Sequence, residues 1–68
     1  MKWTHERYTQ LTQDLRSDAI STFGEITIDM AYEMAKNTLR FEHGLREFMI
    51  QELGVTPRAV AERLAEDI

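Results

Sequence analysis

Three threonines divide this chain, and each stands where a helix has to begin. A helix leaves its first backbone N–H groups without internal partners, and a threonine hydroxyl just ahead of the first turn accepts one of them. Thr4 precedes a run from His5, Thr27 a run from Ile28, and Thr56 is followed by Pro57. Each has an apolar residue before it and another at the fourth helical position: Trp3 with Tyr8, Ile26 with Ala31, Val55 with Val60. Such pairs fix the angle at which the chain enters a helix. Glu6 and Asp29 put negative charge in a first turn, where the helix dipole favours it. Pro57 suits a first helical position, because the N–H it lacks would be unpaired there. Gly24 and Gly54 offer left-handed stops.

The spacing therefore predicts three helices, over residues 5–23, 28–53 and 57–67. In the first, Tyr8, Leu11, Leu15 and Ala19 make one stripe, and Ile20 and Phe23 extend it on the adjacent side. Glu25-Ile26-Thr27-Ile28 is too short to build a sheet. The expected fold class is all-α: an antiparallel helical hairpin with a long central helix and a short C-terminal helix. Residues 1–68 make one domain.

A chain of 68 residues buries a small share of its surface, so its stability is marginal without a further contribution. There is no cysteine, which removes disulfides and thiolate metal sites. Oligomerisation or partner binding is the remaining ordinary route, and a homodimer, another protein as partner, or both are expected. Twelve acidic residues against eight basic ones give a net charge of −4. Nucleic-acid binders are usually basic on their contact face, so DNA and RNA are disfavoured as partners. The opening residues are polar and charged, with no apolar run of a signal peptide. No stretch approaches the roughly 18 apolar residues of a membrane span. The expected location is the cytoplasm.

The second helix says most about partners. On a wheel at 100° per residue its apolar positions sweep roughly 200°, about twice what an ordinary surface helix needs. An arc this wide wants two neighbours, and the flanking helices are too short to cover it all. Phe41, Leu45, Phe48 and Met49 are the expected apolar anchors of a dimer or partner interface, with Tyr32 and Trp3 behind them, since aromatic residues dominate binding hot spots. Glu42 and Arg46 lie inside the arc, four apart with the acid first. They are expected to form a helical ion pair that sets register. Gly44 between them is a kink or a point of close approach.

Catalysis finds no support. Ser17 and Ser21 have no histidine one turn away, and the three glycines are isolated, so nothing makes a nucleophile–base pair or a phosphate loop. His43 and Glu47 share a helix face, but two ligands do not make a metal site. No catalytic, cofactor-binding or metal-binding residue is expected.

Residues 54–65, from Gly54-Val55-Thr56-Pro57 through Ala65, resemble the opening helix of a helix-turn-helix. In such a motif an alanine-rich helix packs under the reading helix. That resemblance implies a small DNA-binding regulator, in which the C-terminal helix itself would have to read the groove. Residues 39–53, with Phe41-Glu42-His43-Gly44-Leu45-Arg46-Glu47-Phe48, are similar, across a gap, to the second helix of small phycobilisome-degradation adaptors. Those are dimeric helical hairpins that bridge a target to a protease. The sequence as a whole favours a non-enzymatic interaction module, an adaptor, inhibitor or accessory regulator of another protein. A DNA-binding regulator is the alternative.

Overall fold

Thr4 Oγ1 accepts the Arg7 N–H at 3.1 Å, and Thr27 Oγ1 accepts the Met30 N–H at the same distance. The two longest helices thus start where the threonines place them. A computed structural model describes residues 2–68. Its helices are α1 (His5–Phe23), α2 (Ile28–Phe41), α3 (Leu45–Glu52) and α4 (Val60–Asp67). No strand occurs among the described residues. None of these helices is long and apolar enough to cross a membrane.

Thr56 behaves differently from the other two threonines. Its hydroxyl makes no capping bond, and its carbonyl accepts the Ala59 N–H at 3.0 Å. That closes a 3-10 turn over Pro57–Ala59, from which α4 continues. The third expected helix is therefore a tight turn followed by an eight-residue helix.

The larger correction is in the middle of the chain. The expected helix over 28–53 is two helices, and the described residues form four α-helices in place of three. Glu42 is extended (φ −92°, ψ 101°) and Gly44 is left-handed (φ +81°), so the α-helical ladder stops at Phe41 and restarts at Leu45. Length explains why. An unbroken helix of that span would run roughly 39 Å at 1.5 Å per residue. The longest dimension of the whole molecule is 33 Å. A straight helix would carry its second half past its neighbours and leave it uncovered. With the break at Gly44, Leu45, Phe48 and Met49 are buried in the core instead.

Trp3 holds that corner. Its indole Nε1 donates to the His43 carbonyl at 2.8 Å, giving an acceptor at the break a partner. A Cβ on Gly44 would stand 3.4 Å from Trp3 Cδ1. The position thus needs glycine for its backbone angle and leaves little room beyond it. Trp3 also stacks under the Arg7 guanidinium, whose carbon lies 3.7 Å from the ring centre.

The core gathers around this corner. Ala35, Leu45, Met49, Val60 and Leu64 are fully buried, with Trp3, Tyr8, Phe48, Val55 and Ile68 around them. α4 packs chiefly on α2, where Ala31 and Ala35 let the backbones come close. The N-terminal part of α1 joins through aromatic contacts: Phe48 lies 6.4 Å from Trp3, 5.9 Å from Tyr8 and 5.4 Å from His5, centre to centre.

Gly44→Ala is expected to lower stability by about 1–2 kcal/mol, the cost of a left-handed non-glycine residue. Thermal unfolding read by circular dichroism checks this. A variant that gains both helicity and stability would show that α2 and α3 prefer to be continuous.

Candidate functional site

The residues expected at an interface separate into two sets. Leu45, Met49, Phe48 and Trp3 are buried in the chain's own core, where they meet no partner without unfolding. Phe41 and Tyr32 remain exposed, at 77% and 39%. Phe41 is the last residue of α2, just before the break, and its exposure follows from that break.

Glu42 and Arg46 do not form the expected helical pair, because Glu42 lies outside both helices. The Glu42 carboxylate pairs with Arg7 at 3.7 Å, tying the corner to α1. Arg46 donates to the Pro57 carbonyl at 3.0 Å, tying α3 to the turn before α4. Both are intramolecular braces. His43 lies in the same corner, so the helix face it was expected to share with Glu47 does not exist. Among the described residues no group of three or more His, Cys, Asp or Glu side chains stands close enough to hold a metal ion.

Four of the five large exposed hydrophobics fall around the turn between α1 and α2. They are Ile20 (49%), Phe23 (66%), Ile28 (88%) and Tyr32 (39%). Ile20 and Phe23, expected to extend the stripe of α1, instead face outward at its end. Beside Ile28 and Tyr32 opens a groove of about 680 Å³ between the start of α2, the middle of α1 and the end of α4. That size lies within the ordinary range of ligand-binding cavities. Ile26, Ala31, Ala65 and Ile68 contribute apolar surface to it, and Arg16, Asp29, Glu62 and Glu66 its charges. Sequence reasoning placed Ile28 and Tyr32 in the apolar arc of helix 2. It missed the groove because Ala65, Ile68 and Arg16 reach it from two other helices. The high exposure of Ile28 has a local cause. It is the first residue of α2, one turn before the buried Ala31 and two turns before the buried Ala35.

A polar clamp fixes the wall that α4 supplies. The Tyr8 hydroxyl donates to Asp67 Oδ2 at 2.6 Å, and Arg63 Nε donates to the same oxygen at 3.0 Å. α1 and α4 are thereby joined one residue before Ile68. Burial of Tyr8, then its bond to Asp67 and the nearby negative charge, push its phenol well above the ordinary value of 10.0.

Comparison with known protein families, with curated proteins and with solved structures finds no match. The residues similar to the phycobilisome-degradation adaptors, 39–53, do not form the single helix that resemblance implies.

The clamp has a consequence at high pH. The folded state keeps the Tyr8 proton that the unfolded state releases above about pH 10. The stability this gives is complete below that pH and is lost as pH rises through the folded value. Tyr8→Phe is expected to cost about 1.5–3 kcal/mol at neutral pH, as for a hydrogen bond to a charged group. It should also flatten the fall in stability above pH 10. Urea unfolding of both proteins across neutral and alkaline pH checks this; an unchanged alkaline slope in the variant would contradict it.

Proposed function

We propose that this chain is a small helical module that acts by binding another protein, as an adaptor, inhibitor or accessory regulator, with no catalytic step of its own. The observation that carries this reading is the open groove beside Ile28 and Tyr32. The core closes within one chain, yet Ile20, Phe23, Ile28 and Tyr32, all exposed, are not scattered. They gather at one end, next to a concave apolar surface. Clustered exposed apolar area rimmed by polar groups is the usual mark of an association site. Aromatic residues such as Tyr32 and Phe23 are the side chains that most often dominate binding energy.

Self-association belongs to the same proposal and falls to Phe41. It stands apart from the groove, at the far end of α2. A homodimer through Phe41 would leave the Ile28–Tyr32 end free for a second protein. DNA binding through the C-terminal helix is less well supported. Glu62 and Glu66 are exposed on α4, and Arg63 is engaged with Asp67. A phosphate backbone would meet net negative charge there.

Light scattering over a dilution series of the wild type, Phe41→Glu and Ile28→Glu tests this. The wild type is expected to be a dimer, and Phe41→Glu to weaken it at least about tenfold, as for loss of an interface hot spot. Ile28→Glu should stay dimeric and folded. Its capture of binding partners from the native host should fall at least about tenfold for the same reason. Unchanged capture by Ile28→Glu would remove the groove from the account.

A further inference from the structure

We infer that the groove between α2 and α4 receives a basic amphipathic helix from another protein. This rests on the interaction reading above and adds the chemistry of the partner. The argument is one of charge. Of the four charged residues that line the groove, three are acidic: Asp29 on the α2 wall, Glu62 and Glu66 on the α4 wall. Arg16 is the single cation. Within the described residues the ion pairs are Arg7–Glu42, Lys36–Glu33 and Arg63–Asp67, so none of the three groove carboxylates is neutralised by the chain itself. The groove therefore presents an apolar strip between two unneutralised acidic walls. Glu62 and Glu66 stand one helical turn apart, which sets them along the direction of the groove wall.

A matching occupant has apolar anchors at i, i+3, i+4 and i+7 and lysine or arginine on both flanks. An amphipathic helix lays its apolar face into such a groove and meets the walls with its flanking charges. Other occupants fit less well. A second copy of this chain would bring the same three carboxylates against themselves, on a protein of net charge −4. A nucleic acid would meet the same repulsion. A neutral small molecule would use the apolar strip and leave the acidic walls idle. Exposed charges of this kind add modest affinity and strong selectivity. They suppress wrong partners and speed encounter with right ones, and both effects weaken with salt.

The test uses the full chain and three labelled synthetic peptides, read by fluorescence anisotropy. The first is an amphipathic helix with leucine anchors and lysine flanks. The second carries glutamate at the flanks. The third has the composition of the first in a scrambled order. The lysine peptide is expected to bind at least about tenfold more tightly than the other two at low salt, and to lose most of that margin at high salt. The double variant Glu62→Lys with Glu66→Lys, both at exposed positions, should abolish the preference while circular dichroism stays unchanged. Amide shift changes should centre on Ile28, Tyr32 and Ala65. Equal binding of the lysine and glutamate peptides would overturn the inference and leave the interaction reading in place. So would an undiminished preference in the double variant, or shift changes that map elsewhere. No binding by any peptide would overturn it too. A wild-type dimer that Ile28→Glu dissociates and Phe41→Glu does not would show that a second copy fills the groove, and would also overturn it. Failure of the interaction reading itself looks different, since the wild-type protein would then capture no partner from the native host.

Discussion

The fold depends on one break in the chain's helix, at Glu42–Gly44, and on the indole that holds it. A helix end buried without partners for its carbonyls is costly. Here the Trp3 Nε1–H reaches across forty positions of sequence to the His43 carbonyl. The same ring lies against the space that Gly44 leaves open and under the Arg7 guanidinium, which in turn pairs with Glu42. Five residues from two distant parts of the chain thus stabilise one another. Without that corner, Leu45, Phe48 and Met49 would project beyond α4, and a chain this short has few other large apolar residues from which to build a core.

Closing the core this way decides what is left for the surface. An apolar arc too wide for one neighbour is cut in two. The second half turns inward and becomes the centre of the core. The first half packs on α4 through Ala31 and Ala35 and leaves its ends uncovered, with Ile28 and Tyr32 at one end and Phe41 at the other. Clamping α4 to α1 through Tyr8, Asp67 and Arg63 then fixes the opposite wall, so that a groove exists beside Ile28 and not merely a patch. The step from packing to the proposed function is here: the surface proposed to bind is the part of the arc that the break at Gly44 leaves uncovered.

What was legible in the sequence is local chemistry. Thr4 and Thr27 cap helices because the hydroxyl and its N–H partner lie three residues apart, and no distant residue is needed. Gly24 ends α1 in the left-handed region for the same reason (φ +80°). The stripe Tyr8, Leu11, Leu15, Ala19 faces inward as its period requires. Gly44 was seen as a kink or a close approach, and it is both, but the choice rests on Trp3, which no spacing within helix 2 reveals. Glu42 and Arg46 had ideal helical spacing and failed to pair because the helix they presupposed is broken. Thr56 made no cap because Pro57 and the short span to Val60 favour a tighter turn. The interface residues named from the wheel divided along the same break. Phe41 and Tyr32 stayed outside, while Leu45, Phe48, Met49 and Trp3 were drawn into the chain's own core.

The account stands on the break at Gly44, and backbone chemical shifts measured by NMR across residues 40–46 address it directly. The prediction is helical shifts through Phe41, extended shifts at Glu42, a positive φ at Gly44 and helical shifts again from Leu45, with the Trp3 indole proton protected from exchange. Uninterrupted helical shifts from Ile28 to Glu52, together with a rapidly exchanging indole proton, would contradict it. They would mean that the arc is intact and that Leu45, Phe48 and Met49 are buried by a second molecule.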